Sequence, residues 1–493
     1  MTHLLDSFFA PQSIAVIGAS RDGSRIPGQL LAYLRKNGFA GAIYPVNPNY
    51  PDIDGLKCWP AVASIGAPID LAVVTIPAKM VLGALEECAK AGVRNAIIIS
   101  SGFAEEGGES ALTQAAITAL ARRTGMRICG PNAQGYFNEP LKIAATFSPT
   151  VDVKPGLPRL VATTKRIGIA AQSGGIGFAI CHRAQAIGVA LSIVISTGNE
   201  CDLGVGEVLD YMVQDDSTDV ILLFIEGIRD IERFDAAARR AAAVGKAVIV
   251  TKVGRSAAGA RASELHTASV AGSPTAYDAM FAKYGFIVSH DMDEAVTIAA
   301  VLTTTPSPKG DRVAIVTTSG GGGIWAADAL SMAGLRLPEL SEAMQSDIRK
   351  LIPSYGAARN PVDVTAQAVH SGGLQKTVEM LSMSDEVDAI LVVVSLASDT
   401  RIPFKAAELK PVLDELRKPV LFWSYTLPST FARTGFAECG AVVLSSLSLI
   451  ATALRKVTTR SLMRENRSWL GKTLPTSCPR EGGDDSVLAS TAP

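Results

Sequence analysis

The sequence predicts an α/β protein made of three consecutive parallel-sheet domains. Three observations carry this. Short, fully apolar runs alternate with longer amphipathic stretches, the pattern of strands buried on both faces beneath covering helices. A strand–glycine turn–helix opening recurs near residues 13, 166 and 311. The length, 493 residues, suits about three domains of ordinary size.

Composition narrows the partners. The chain is 48% hydrophobic, enough to build large cores, and its formal net charge is -1. A near-neutral chain is a poor binder of nucleic acid or anionic membrane. No apolar run is long enough to span a bilayer. MTHLLDSFFAPQ leads straight into a strand, without the basic head of a signal peptide. The seven cysteines show no CxxC pairing, and Cys88 and Cys181 stand in apolar periodic runs. Reduced thiols in a cytoplasmic protein are the expectation.

Residues 1–150 read as the first domain. SIAVIGA is a buried strand that enters GASRDG and then the helix around GQLLAYLRKNGF. A helix start presents free N–H groups to an anion. The spacing is not GxGxxG, and the turn reads equally as a phosphate site or a plain strand–helix turn. AIYPVNPNY, DLAVVTIP, RNAIIISSG and MRIC are further strands, separated by helices over KMVLGALEECAKAG and ESALTQAAITALARRTG. Ligands of such sheets bind at the carboxyl ends of the strands. Those ends carry GASRDG, PVNPNY, TIPAK, SSGFAEEG and GPNAQG, which offer amides, hydroxyls and backbone N–H groups. That suits a large phosphorylated ligand. Asn47 and Pro48 stand where a dinucleotide fold places its acidic ribose ligand, so NAD is disfavoured.

Residues 151–305 read as the second domain, entered through the Pro-rich TFSPTVDVKPGLPRL. KRIGIAAQSGGIGFAICHRAQAIG gives a strand, the turn Gln172-Ser173-Gly174-Gly175 and a helix. Ser173 is placed to cap that helix, and the glycines allow close backbone approach to an anion. His182, a few residues into the helix, reads as structural. Glu226 directly follows the apolar run ILLFI, at the carboxyl end of a strand. A carboxylate there requires a partner. One candidate is His266, which lies in the Gly/Ala/Ser-rich stretch Lys252–Pro274 after the next strand, read as a flexible loop. The carboxylate would fix one ring nitrogen and raise the basicity of the other. Arg229 and Arg255 are the alternative, as ion-pair partners. His290, in a strand-to-helix turn, reads as a possible cap.

Residues 306–460 read as the third domain. DRVAIVTTSGGGGIWAADALSMAG repeats the opening, with Gly320–Gly323 as either an anion nest or a close-packed turn. ARNPVDVTAQAV, EVDAILVVVSLA, RKPVLFWSY and AVVLSSLSLIATAL complete the alternation, and residues 461–493 read as a partly disordered tail.

The motifs SIAVIGASRD, YPVNPN, GPNAQG, IAAQSGGIG, STGNECDLG, FIEGIRD, the His266 stretch, TTSGGGG and NPVDVT, in this order over residues 8–460, resemble the NDP-forming acyl-CoA synthetases. This is the superfamily of succinyl-CoA synthetase and ADP-forming acetyl-CoA synthetase. The resemblance implies a Rossmann-like CoA-binding domain followed by two flavodoxin-like ligase domains. It implies coenzyme A bound through Gly18, Ser20, Arg21, Val46, Asn47 and Pro48. It implies an acyl phosphate formed from acyl-CoA and phosphate, with His266 as the phosphohistidine, Glu226 orienting it, and Ser173, Gly174 and Gly175 cradling the phosphate. No protein metal ligand is expected on this chain. About 460 residues are used by three α/β units, which leaves no room for an ATP-grasp domain. The resemblance therefore implies an α-type subunit whose ATP-grasp β-type partner holds ATP or ADP and Mg2+, in a hetero-oligomer or homodimer that acts on a small carboxylic acid.

Two stretches depart from the family pattern. The histidine loop, usually close to SHTGxxAGSD, reads LHTASVAGSP from Leu265, and NAGGPG is replaced by Thr318-Ser319-Gly320-Gly321-Gly322-Gly323. A nucleotide-independent acyl-CoA/phosphate acyltransferase and a non-catalytic acyl-CoA-binding module are the competing expectations. Retention of both His266 and Glu226 speaks against the second, because binding requires neither.

Overall fold

The computed structural model describes residues 3–153, 159–267, 273–369, 372–404 and 406–470. The first sheet contains β1 (Ser13–Ile17), β2 (Ala42–Val46), β5 (Leu71–Val74), β6 (Asn95–Ile98) and β7 (Arg127–Cys129), in the order β2-β1-β5-β6-β7. A short hairpin, β3 (Asp52–Ile53) and β4 (Leu56–Lys57), stands apart from it. The second sheet contains β8 (Gly135–Asn138), β9 (Ile143–Thr146), β10 (Arg166–Ala171), β11 (Ala190–Ser196), β12 (Val220–Ile225), β13 (Ala247–Lys252) and β14 (Ile287–Ser289). Its order is β14-β13-β12-β10-β11-β8-β9. The third contains β15 (Val313–Thr317), β16 (Val362–Asp363), β17 (Ala389–Val394), β18 (Val420–Ser424) and β19 (Val443–Leu444), in the order β16-β15-β17-β18-β19. All pairings in the first and third sheets are parallel. Every residue of β12 and β13 is buried, as strands covered by helices on both faces require.

The hairpin β8–β9 does not follow the expected division at residue 150. It precedes that point in the chain, yet β8 pairs antiparallel with β11 of the second sheet. An uncovered β11 edge would expose a row of unpaired backbone groups, and the hairpin covers it. Aromatic burial then locks the first two sheets together. Phe8 and Phe9 are fully buried near the chain start. The Tyr136 hydroxyl donates to the Phe8 carbonyl at 3.1 Å, and the Asn138 amide donates to the Phe9 carbonyl at 3.0 Å. Each buried phenyl contributes about 1.5–3 kcal/mol. A continuous core runs from Leu5 and Ile14 through Tyr136 and Ile195 to Phe281.

The third sheet docks through helices. The helix Leu447–Leu470 packs on the helix Met292–Thr304. Lys456 there donates to Glu294 and to the Val288 carbonyl. This helix runs through residues 461–470, where a tail was expected, because SLMRENRSWL contains no glycine or proline and carries the good helix formers Leu, Met, Arg and Glu. Residues 471–493 lie outside the described residues. Asp291, not His290, caps the helix that follows them, accepting from the Glu294 N–H at 2.8 Å. The short side-chain carboxylate of Asp291 reaches that N–H. His182 lies exposed on its helix. Cys58, Cys88, Cys129, Cys181, Cys201 and Cys439 are buried free thiols. No helix among the described residues is long and apolar enough to cross a membrane.

Candidate functional site

The segment after β11 joins the first two sheets and creates the site. The Asn199 N–H donates to the Pro131 carbonyl at 2.9 Å, that of Cys201 to Gly130 at 2.9 Å, and that of Leu203 to Ile128 at 3.0 Å. The Asn199 side-chain amide reaches across to Gln114 and Glu105. Along this seam lies a cavity of about 340 Å³. Its walls include Ile26 and Ser101 from the first unit, Gln134, and Gln172, Ser173 and Glu226 from the second.

The three residues expected to cradle phosphate meet here. Ser173, Gly174 and Gly175 open the helix Gly174–Ala186 onto the cavity. Ser173 makes no side-chain capping bond, so the capping role expected of it is absent, and its hydroxyl leaves the first N–H groups of the helix untaken. Gly174 is held to glycine by its neighbours. A β-carbon there would stand 2.6 Å from the Gln134 β-carbon and 3.2 Å from the Ser196 hydroxyl. That hydroxyl is buried and has no hydrogen-bond partner among the described residues.

Glu226 follows β12 and is 7% exposed. Its main chain is tightly held. The Gln172 side-chain oxygen accepts from the N–H groups of Glu226 at 2.6 Å and Gly227 at 3.0 Å. Lys252 ends β13, in register with Ile225, and its ammonium donates to the Glu226 carbonyl at 2.8 Å while lying 4.7 Å from the Tyr277 ring. Burial, with the Arg255 charge nearby, pulls the Lys252 ammonium below its ordinary pKa. The chain leaving β13 at this same edge forms the helix Ala257–Thr267, not the loop expected over Lys252–Pro274. AAGARASELHT is rich in alanine with Arg and Glu, strong helix formers that outweigh its glycine. The helix packs against the turn Ala104–Glu106 of the first unit. His266 is its penultimate residue, and residues 268–272 lie outside the described residues.

The expected coenzyme residues gather at the carboxyl ends of β1 and β2. Gly18, at φ 90°, donates its N–H to the Val46 carbonyl at 2.9 Å. The Asn47 side-chain amide donates to the Ala19 carbonyl at 2.8 Å, which ties the two turns together. The Ser20 hydroxyl accepts from the Asp22 N–H at 3.0 Å. Arg21 pairs with Asp52 at 2.9 Å and lies over the Tyr50 ring, half exposed, and Pro48 is exposed beside them. None of these six residues lines the seam cavity; Ile26, first residue of the following helix, does.

Sequence reasoning passed over Lys252, Gln134 and Glu200. Lys252 gave the same signal as Glu226, a charged residue closing an apolar run. Gln134 and Glu200 carried no local signal.

The matches to known proteins follow the three sheets. Residues 12–138 match a CoA binding domain family, residues 164–302 a succinyl-CoA ligase like flavodoxin domain, and residues 313–396 a ligase-CoA domain. The chain is 35% identical over 390 residues to acetate–CoA ligase [ADP-forming] II subunit alpha of Pyrococcus furiosus, spanning 79% of this chain and 82% of that one. Acetate–CoA ligase [ADP-forming] I of Archaeoglobus fulgidus is longer. It is also 35% identical, and the match spans 82% of this chain but 56% of the relative. The solved structure of a dinucleotide forming acetyl-coenzyme A synthetase 1 from Ca. Korarchaeum cryptofilum, in complex with phosphate and ADP, aligns with a TM-score of 0.82 at 29% identity. That alignment covers 96% of this chain and 99% of that one.

Proposed function

Because the chain belongs to the NDP-forming acyl-CoA synthetases, as an enzyme of the ADP-forming acid–CoA ligase type with α-subunit character, we propose that the seam cavity is where acyl-CoA and phosphate react. The observation that carries this reading is the convergence of the helix start at Ser173–Gly175 and the buried carboxylate of Glu226 on one cavity walled by both the first and the second units.

Gly18, Ser20, Arg21, Val46, Asn47 and Pro48 hold coenzyme A, which is a substrate here. The N–H groups after Ser173 hold phosphate and neutralise part of its charge, with Gln134 and Ser196 as further donors. A phosphate oxygen attacks the thioester carbonyl. The carbon–oxygen bond forms, the carbon–sulfur bond breaks, and CoA leaves as thiolate. A ring nitrogen of His266 then attacks phosphorus, and the oxygen–phosphorus bond to the acyl group breaks, releasing carboxylate. Glu226 accepts the other ring N–H and stabilises the charged imidazole. The phosphoryl group passes to ADP with Mg2+ on an ATP-grasp partner, and the reverse direction makes thioester at the expense of ATP. The surplus length of the Archaeoglobus relative is consistent with a partner function carried in the same chain there. We place the enzyme in the cytoplasm, where its buried thiols stay reduced.

The test is incubation with radiolabelled phosphate and a panel of acyl-CoAs, with and without a candidate ATP-grasp partner. The expected product is protein-bound label that is acid-labile and alkali-stable and is lost in His266→Ala. Absence of label under every condition would overturn the reading.

A further inference from the structure

Where β12 ends, the backbones of its neighbours stop serving it. The bonds to β10 end with the Gln172 N–H on the Phe224 carbonyl at 3.2 Å, and those to β13 with the Val253 N–H on the Ile225 carbonyl at 3.1 Å. Past these points side chains take over. Gln172 Oε1 accepts from the N–H groups of Glu226 at 2.6 Å and Gly227 at 3.0 Å, and Gln172 Nε2 donates to the Gly227 carbonyl at 2.6 Å. The Lys252 ammonium donates to the Glu226 carbonyl at 2.8 Å. All four main-chain polar groups of Glu226–Gly227 are thus held by two side chains. The next N–H, that of Ile228, goes to the Tyr277 hydroxyl at 3.3 Å.

A buried turn must satisfy its polar groups, but it does not require a charge to do so. Lys252 is 5% exposed, and its hydrogen bonds go to the main-chain carbonyls of Glu226 and Val253 rather than to a carboxylate. An ammonium buried on such terms is costly. Gln172 has a second distinction. It directly precedes Ser173, so one residue belongs to the turn expected to cradle phosphate and grips the turn that bears Glu226. Both turns line the seam cavity.

We propose that Gln172 and Lys252 are positioning residues for phosphoryl transfer: between them they fix the backbone that carries Glu226 against the turn that holds phosphate. This rests on the reading of the seam cavity as the transfer site. Glu226 serves the second step, attack of His266 on the acyl phosphate, and takes no part in the first. Loss of a clamp therefore slows the second step through Glu226 alone.

The test uses the full chain with the candidate partner, without nucleotide, and the acyl-CoA of the panel that labels His266 fastest. Two rates are compared. Exchange of labelled CoA into acyl-CoA needs phosphate but not His266, whereas protein labelling by radiolabelled phosphate needs both steps. Gln172→Met should slow labelling about 30-fold and Lys252→Met about tenfold, because a small displacement of an acting group is costly. Lys252 does not line the cavity, so CoA exchange by Lys252→Met should stay within about twofold of wild type, with KM for CoA unchanged. Glu226→Ala should itself slow labelling about 100-fold, and in that background neither clamp variant should add more than about twofold. Unchanged labelling, equal loss of exchange and labelling in Lys252→Met, or clamp losses that persist undiminished in Glu226→Ala would overturn the proposal. If a clamp variant does not fold, Tyr277→Phe serves instead. It deletes only the hydroxyl on the Ile228 N–H and should slow labelling about threefold with exchange unchanged, and equal effects on the two rates count against the proposal. No label in the wild type sinks the transfer reading and the clamp with it, whereas wild-type label with persisting losses sinks the clamp alone.

Discussion

Two glycine-rich turns in this protein look alike as sequence and differ as sites. Gln172–Gly175 and Thr318–Gly323 both follow a buried strand, both carry a serine, and both open a helix of 13 residues. The second has more glycines and reads in sequence as either an anion nest or a close-packed turn. In the structure it is closed on itself. The Ser319 hydroxyl accepts from the Gly322 N–H at 3.4 Å, and an Asp363 oxygen lies 3.1 Å from where a Gly320 β-carbon would stand. At the first turn the serine makes no cap, and the nearest groups are the neutral Gln134 and Ser196 side chains. An anion is attracted by N–H groups that no side chain has taken, so the presence or absence of a cap outweighs the number of glycines.

The largest expected contrast is in activity. His266→Ala should lose all protein-bound phosphate and about 10³-fold or more in turnover, by labelling and steady-state rates. Substitutions in the Gly320–Gly323 turn should leave the label on His266, and a label lost there as well would merge the two turns into one site.

Glu200 gives a stability test. Its carboxyl is raised to about 7 in the folded chain, above its ordinary value of 4.5. The folded state therefore binds the extra proton between those values, and this residue's contribution to stability falls as pH rises from about 4.5 to about 7. Glu200→Gln removes that dependence. Relative to wild type, the variant should gain up to about 3 kcal/mol between pH 5 and pH 8, read as the difference in Tm or denaturant midpoint. An equal difference at both values would show that the carboxylate is not destabilised by its burial.

A matched pair of alanine substitutions sharpens the comparison of turns. Gly174→Ala should cost about 1–3 kcal/mol, because its methyl meets Gln134, and should impair phosphate use. Gly321→Ala meets nothing within 4 Å and should stabilise by about 0.5–1 kcal/mol, both read by urea unfolding. Smallest is the serine pair. Ser319→Ala should lose about 1 kcal/mol with its cap. Ser173→Ala, which breaks no cap bond, should shift stability by less than about 0.5 kcal/mol while raising KM for phosphate. Equal stability losses in the two serines would erase the distinction.

Much of the site was readable because charge in an apolar run is conspicuous. Glu226 closes ILLFI, and β12 and β13 do lie side by side in register. Alternation of apolar runs with amphipathic stretches likewise specified the sheets. The hairpin β8–β9 was not readable. Its residues look like the end of the first unit, and only the open edge of β11 explains where they go. The helix Ala257–Thr267 was obscured by Gly and Ser beside good helix formers.

The sequence by itself determined the strands, the order of the three units and the candidate groups His266, Glu226 and Ser173, because periodicity and isolated charge are local properties. Only the tertiary structure decided that Gln172 clamps the Glu226 main chain and that Ser319 caps its helix while Ser173 does not. The clamp joins residues tens of positions apart. Both depend on which strand edges pair and which side chains share a buried space, and no short stretch of sequence encodes that.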